Sequence, residues 1–402
     1  MFKIIVIGIS AGMSTAREAS LKNCRSAFAT SRLQGFLANF NGRVHPISPL
    51  STALEQMDKE LAHGDVAVLA SGDPLFFGIG RRLLRHFGSK KVQIFPALSA
   101  LQLVCARFNE PWDDAQLISL HGRDCLNFSA RIIQAPKSIL LTDREHNPAM
   151  IAANLLIDLA KIDADQQDIQ IMVAENLGMP QEKICQGSPK EIAGQQFSDL
   201  NIIIIKNKIA SNLPAHRFGL HEDDIQHSRG LITKDEVRAA TLHSLQLPES
   251  GVLWDLGAGS GSISIEAARL FPNLAVFALE KTLEGQENIR HNIKRFKLVN
   301  LTLVEGQAPE AIAALPDPQR IFIGGSGGLL AEIIARAVPR LSKPGIITVN
   351  AVTKNTKEAA PALLHAQGLI VSMSTIQVSR CFFPPAAGAV NFKPITIITG
   401  KK

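Results

Sequence analysis

Val252-Leu253-Trp254-Asp255-Leu256-Gly257-Ala258-Gly259-Ser260-Gly261 decides how the second half of this 402-residue chain folds. A short apolar run, of strand length, ends at Asp255 and enters a turn in which every second residue is glycine. A helix is predicted from about Ser262. Alternating glycines let the backbone reverse tightly and approach a ligand with no Cβ in the way. The helix N-terminus then turns unpaired N–H groups toward that ligand. A dinucleotide fold would use G-x-G-x-x-G, whose third glycine falls here on Ser262. The G-x-G-x-G spacing found here suits S-adenosylmethionine.

Glu280 ends the next predicted strand, 23 residues after Gly257. A carboxylate there can accept both ribose hydroxyls of either cofactor. The third strand ends in Glu305-Gly306-Gln307-Ala308-Pro309, where a polar side chain commonly meets an adenine amino group. After the fourth comes Phe322-Ile323-Gly324-Gly325-Ser326-Gly327-Gly328. Unneeded glycines cost roughly 1 kcal/mol each in ordering entropy, so this run reads as the close approach of a bulky substrate around Gly325, Ser326 and Gly327.

Around this motif the chain alternates short apolar runs with helical patterns, the mark of an α/β protein with parallel strands. Strands are predicted at 251–256, 275–280, 301–305, 320–323, 345–349, 369–378 and 392–399. Only the loop Cys381-Phe-Phe-Pro-Pro-Ala-Ala-Gly388 separates the last two, so they are expected to pair antiparallel. That is the closing hairpin of a class I methyltransferase sheet, which a nicotinamide-binding fold lacks. In the first half strands are predicted at 3–9, 65–70, 92–95, 116–119, 138–142, 169–175 and 201–206. Residues 207–229 break the rhythm with Pro214, three histidines and Glu222-Asp223-Asp224, and read as a linker. The expected division is therefore 1–207, a linker at 208–229, and 230–402. In the last part Thr233 and Glu236 fit a capping box.

Composition narrows the function. The net charge is +6 with no concentrated basic stripe, and tyrosine is absent. This argues against a nucleic-acid partner and leaves room for a small polyanion. The five cysteines, Cys24, Cys105, Cys125, Cys185 and Cys381, have no C-x-x-C spacing. They read as free thiols in a reducing, cytoplasmic setting rather than as a metal site or disulfide framework. The apolar run Ile4–Ile9 is too short to span a membrane.

Two blocks carry a resemblance. Gly230-Leu231-Ile232-Thr233-Lys234-Asp235-Glu236-Val237-Arg238, with the 254–268 run and Gly324–Gly328, resembles the decarboxylating precorrin methyltransferase domain. Leu69-Ala-Ser-Gly72-Asp73-Pro74-Leu-Phe-Phe-Gly-Ile-Gly80 is similar to the tetrapyrrole methylase signature. Pro96–Ala100, Ser119–Arg123 and Ala174–Gly178 resemble further blocks of that family's C5 branch. The order of the halves resembles the fused decarboxylating C5,15-methyltransferases that act on precorrin-6Y, or its cobalt form, in cobalamin biosynthesis.

The resemblance implies a two-subdomain tetrapyrrole methylase (class III methyltransferase) fold followed by a class I Rossmann-like fold. It implies S-adenosylmethionine in both, a tetrapyrrole substrate and a homo-oligomer. In the first half it places the cofactor on Gly72, Asp73 and Pro74, with Ser99 and Ala100 opposite. In the second half the cofactor residues are Thr233, Gly257, Ala258, Gly259, Ser260, Gly261, Glu280, Gln307 and Ala308. Two positions depart from the family pattern. Gly8-Ile9-Ser10-Ala11-Gly12 lacks one glycine and an acid, and Gln307 stands where an Asp is usual.

Methyl transfer from a sulfonium to an electron-rich macrocycle carbon needs orientation and water exclusion rather than a catalytic triad or a metal. Decarboxylation of an acetate arm needs one general acid. Glu222, Asp223, Asp224 and His227 are the candidates. Lys234 and Arg238, four apart on a predicted helix, could bind substrate carboxylates. Two other readings of the residues remain open: a first half that only binds or scaffolds, and an RNA or protein methyltransferase.

Overall fold

The computed structural model describes residues 2–10, 15–120, 127–213, 218–381, 383 and 389–402. The chain divides into two compact units. The first comprises 1–123, 137–152 and 170–206; the second comprises 124–136, 153–169 and 207–402. Gly12, His121–Arg123, Cys125, Pro214, His216 and most of the 381–388 loop lie outside the described residues.

The first unit holds two sheets. β1 (Ile4–Ile9), β2 (Ser26–Ala29), β3 (Arg43–Pro46), β4 (Val66–Ser71) and β5 (Val92–Phe95) form a parallel sheet in the order β3-β2-β4-β1-β5. Every residue of β1 is buried. Ile4 and Val6 pack on one face; Ile5, Ile7 and Ile9 pack on the other. A strand covered on both faces needs a continuous apolar run, which is why β1 does not alternate. The second sheet contains β6 (Gln116–Ser119), β7 (Lys137–Leu141), β8 (Ile169–Glu175), β9 (Lys183–Gly187) and β10 (Asn201–Asn207), in the order β6-β7-β10-β8-β9. Here the all-parallel expectation fails, because β7·β10 and β8·β9 are antiparallel. The connection from Glu175 to Lys183 is too short for a crossover, so β9 must turn back.

The second unit is built on one seven-stranded sheet. Its strands are β11 (Ser250–Leu256), β12 (Asn273–Glu280), β13 (Leu301–Glu305), β14 (Arg320–Ile323), β15 (Ile346–Ala351), β16 (Ile370–Ile376) and β19 (Ile395–Lys401). Between β16 and β19 stands the short pair β17 (Ser379–Arg380) and β18 (Val390–Asn391). The order is β13-β12-β11-β14-β15-β19-β16, parallel as far as β15, with β19 antiparallel to both neighbours. The predicted closing hairpin is present. Trp254 is buried in the core, donates Nε1–H to Pro316 O at 3.0 Å, and lies beneath the Arg340 guanidinium. Among the described residues no helix is long and apolar enough to cross a membrane.

The segment read as a linker is packed onto the second unit from Gly219 to Ser228. Gly219 N and Leu220 N donate to Glu266 Oε1. Gln226 N donates to Asn292 Oδ1 at 2.9 Å, Asn288 Nδ2 to Ser228 Oγ at 3.0 Å, and Ile225 is buried. Arg238 completes the joint. Its Nε meets Glu266 Oε2 at 2.7 Å, and its Nη2 donates to Leu220 O and to Asp235 Oδ1. The capping box at Thr233 does not form. The helix Asp235–Leu245 has Lys234 at its N-cap with no side-chain cap bond. Glu236 is held instead by Arg380, with Nε–Oε1 at 2.8 Å.

Two tests follow from this packing, both in a Trp112→Phe background where Trp254 is the remaining tryptophan. Glu266→Ala strands a buried guanidinium and frees two backbone donors. It should cost about 3–5 kcal/mol in denaturant unfolding followed by Trp254 fluorescence; a loss below about 1 kcal/mol would show that the joint is dispensable. The second concerns Asp255, which is fully buried at the end of β11. Ser264 Oγ donates to its Oδ2 at 2.6 Å, and its Oδ1 has no partner. Burial, helped by the nearby Glu280 charge and opposed by Ser264, pushes its carboxyl up to about 7 from 3.8. The folded protein therefore keeps a proton across that window that the unfolded chain has lost, and stability falls as pH rises through it. Asp255→Asn removes this titration. Its stability relative to the parent should climb between pH 4 and 7 and then level; a pH-independent difference would mean Asp255 is ionised in the fold.

Candidate active site

In the second unit the turn after β11 sits at the carboxyl edge of the sheet, where open α/β sheets bind ligands. Gly257, Gly259 and Gly261 take φ of +73°, +59° and +77°, the left-handed region that favours glycine. The three differ in what surrounds them. A Cβ on Gly257 would lie 2.2 Å from Gly325 O, and one on Gly261 would lie 3.0 Å from Ile289 Cγ1. A Cβ on Gly259 would meet nothing within 4 Å. Packing thus excludes a side chain at Gly257 and crowds one at Gly261. Gly259 faces open space.

Glu280 anchors the turn. It is buried, and its Oε2 accepts from Gly259 N at 2.8 Å. Its Oε1 accepts from Thr282 N and Thr282 Oγ1, each at 2.8 Å. The pairing with Lys281 or Arg290 that a surface carboxylate would make is absent, and Arg290 bonds Glu305 instead. One cavity of about 150 Å³ brings together Gly257, Glu280, Gln307, Ala308, Gly325, Ser326 and Gly327 from the predicted set. Lys281 also lines it, a residue the sequence reading passed over; its Nζ would stand 3.2 Å from a Cβ on Gly327.

Ala258, Ser260 and Gly261 hold the turn without lining that cavity. Ala258 N donates to Leu279 O, Ser260 O accepts from Asn292 Nδ2, and Gly261 N donates to Ala258 O. Thr233 also lies off the cavity, its carbonyl taken by Arg238 Nη1 at 3.2 Å. Arg238 is the clearest correction. It is 1% exposed with its donors spent on Glu266, Asp235, Thr233 and Leu220, so it offers nothing to a substrate. Lys234 is paired with Glu222 and sits 5.2 Å from the Phe392 ring centroid.

The acid candidates separate as well. Burial would raise the Glu222 carboxyl, but hydrogen bonds from Lys234 and Arg380 outweigh it and hold the group below its ordinary value. Glu222 is therefore a fixed anion. Asp224 Oδ2 accepts from His221 N at 2.9 Å. His227 Nδ1 lies 2.8 Å from Ile225 O; a carbonyl only accepts, so Nδ1 carries hydrogen and Nε2 is the nitrogen left for proton exchange.

The first unit contains a larger cleft, about 820 Å³, lined by residues of both its sheets. Gly72, Asp73, Ser99 and Ala100 line it; Pro74 does not, but its carbonyl lies under Gly78 and Gly80. Gly72 takes φ +62°, and a Cβ there would press on Ser99 Cα at 3.1 Å. Asp73 Oδ1 accepts from Leu75 N at 2.8 Å and shapes the turn. Ser99 caps the helix Ala100–Phe108 through a capping box with Gln102. Gly8 meets the same strand end, since its Cβ would fall 2.2 Å from Gly72 O.

Residues 25–193 match the family described as Tetrapyrrole (Corrin/Porphyrin) Methylases, and residues 224–399 match that described as Precorrin methyltransferase domain. A Sinorhizobium sp protein named precorrin-6Y C(5,15)-methyltransferase [decarboxylating] is 33% identical over 337 residues, covering 83% of this chain and 78% of that one. A Mycobacterium tuberculosis protein of the same name is 30% identical over 372 residues, 90% of each. A solved structure titled precorrin-6y C5,15-methyltransferase from Geobacter metallireducens is 43% identical, covering 47% of this chain and 99% of that one, with a TM-score of 0.46. The chain belongs to the precorrin-6Y C(5,15)-methyltransferase (decarboxylating) family.

Proposed function

We propose that this chain methylates precorrin-6Y, or its cobalt form, at C5 and C15 and removes the carboxyl group of an acetate arm, using S-adenosylmethionine, in the cytoplasm. The domain of residues 1–207 performs the C5 methylation. The domain of residues 230–402 performs the C15 methylation and the decarboxylation. The observation that carries this reading is that each half has its own cavity built on close backbone approach at a strand end: Gly8 against Gly72 in one, Gly257 against Gly325 in the other.

The donor set fits the cofactor. In the second unit the 150 Å³ cavity is smaller than an ordinary small-molecule site. It suits the nucleoside end: Glu280 would hold the ribose and Gln307 the adenine, and the open face of Gly259 would leave room for the remainder. Gln307 can accept from an amino group through its amide oxygen, without the charge an Asp would add. When bound, S-adenosylmethionine supplies an electrophilic methyl group. The protein's share is to hold the macrocycle carbon in line with it and to exclude water. The Gly324–Gly328 loop leaves the room. Glu222 stays ionised and does not donate the proton for decarboxylation. We take His227 as the donor among the acid candidates, because its Nε2 has no bond among the described residues and its neighbour Gln226 is tied through Asn292 to the Ser260 carbonyl of the turn.

Calorimetry on the full chain should find two equivalents of S-adenosylhomocysteine. Gly259→Val should remove one of them and abolish C15 methylation. No neighbour lies within 4 Å of its Cβ, but the +59° φ strains a branched residue, so circular dichroism and an unfolding curve must show that the second unit still folds. Gly257→Ala should instead destabilise the second unit itself. A single equivalent in the parent, lost in Gly259→Val, would favour a scaffolding first half.

Glu280→Gln gives a finer test. The amide must set an NH₂ against either Gly259 N–H or the Thr282 donors, all of which now meet carboxylate oxygens. Second-unit affinity should fall roughly ten-fold, about 1–2 kcal/mol, and further in Glu280→Ala. Unchanged affinity in both variants would remove the ribose assignment.

A further inference from the structure

The first unit's cleft is lined, besides the Gly72–Asp73 and Ser99–Ala100 cradle, by large apolar side chains. Phe36, Phe77 and Leu98 line it while remaining 41%, 49% and 54% exposed. Apolar groups of this size gathered at a cavity mouth mark a binding surface. Phe77 is also held at φ +51°, a region sparse for aromatic residues, with its ring edge-on to Phe76 at a centroid distance of 4.9 Å. Strain at a cavity lip persists where the position of the side chain is used.

Arg32 lines the same cleft and is exposed. Three other arginines of this unit are committed, Arg25 and Arg43 to Glu60 and Arg107 to Glu182, and none of the three lines the cleft. Arg32 has no hydrogen bond or ion pair among the described residues. A guanidinium is a planar fork of donors that matches a carboxylate two bonds at a time. Beside open aromatic rings it makes a composite site for a flat apolar body with acidic arms.

We propose that Arg32 anchors a peripheral carboxylate of the tetrapyrrole in the first unit, with Phe36, Phe77 and Leu98 seating the face of the macrocycle. This rests on the reading of the first unit as the C5-methylating half, and it assigns the substrate end of the cleft. Arg32 is thus a specificity residue, distinct from the residues of the cofactor cradle.

The test uses the full chain with precorrin-6Y, following C5 methylation by mass spectrometry. Arg32→Gln should raise KM about ten-fold or more, with kcat within about two-fold, and Arg32→Lys should recover part of the loss. Against the same macrocycle with methyl-esterified side chains, Arg32→Gln and the parent should bind alike. Phe36→Ala should weaken both the acid and the ester, and it carries the test if the Arg32→Gln protein does not fold. Titration with S-adenosylhomocysteine serves as the control. If the parent's first unit binds none and no C5 methylation occurs, the underlying reading falls and the proposal with it. If that binding is intact but KM is unchanged in Arg32→Gln, or the loss is equal on the ester, the proposal alone is overturned.

Discussion

Between Gly257 and the carbonyl of Gly325 there is no room for one carbon atom. That exclusion organises the carboxyl edge of the second unit's sheet. Gly257 N and Ala258 N bond to Leu279 O, and Gly324 N bonds to Leu256 O, so three strand ends are tied by main chain alone. Gly285 repeats the constraint at the start of the next helix, where a Cβ would fall 2.7 Å from Glu280 Cγ and 2.9 Å from Gly259 O. A site made of backbone has few rotamers to lose when a ligand arrives. Its geometry is set by strand register, which is the most rigid thing the fold supplies.

The first unit meets the same requirement by a different route. Gly8 at the end of β1 abuts Gly72 after β4, again with a Cβ excluded at 2.2 Å. The rest of its cleft, however, comes from side chains of two separate sheets. The missing glycine and acid in the Gly8–Gly12 run leave this contact untouched, because it depends on Gly8 alone. A cleft between sheets can be wide, and this one is more than five times the volume of the cavity in the second unit.

What was legible in the sequence follows from this. Positions that need a positive φ or a missing Cβ admit few residue types, so Gly257, Gly259, Gly261 and Gly72 announce themselves. Strands covered on both faces must be continuously apolar, and β1, β10 and β11 were readable for that reason. β2 is four residues of Ser, Ala, Phe and Ala, and β3 is an exposed edge ending in proline; neither has a run or an alternation to detect. Arg238 reads as a free cation able to bind substrate carboxylates because its partner Glu266 lies 28 residues away on another helix. Spacing along one helix cannot reveal a pairing made across two. The segment 219–228 looked like a linker for the same reason: its bonds go to Glu266, Asn288 and Asn292, which only the folded unit brings near.

The charges gathered around Arg380 are committed to one another. Glu222 is shared by Lys234 and Arg380, and both cations also flank the Phe392 ring. Arg380 is further paired with Glu236, and these bonds raise its already high affinity for its proton. A carboxylate held between two cations has no reason to accept a proton near neutrality. Asp255, the one carboxyl here pushed up to about 7, is sealed beneath the turn with no exposed surface, which closes it to proton exchange with any ligand. The two acids nearest in chemistry to a proton donor are thus disqualified by opposite environments, one by compensation and the other by burial. Lys281 stands apart from both. It lines the cavity itself and has no ion pair among the described residues, so its charge is not compensated there by a neighbouring carboxylate.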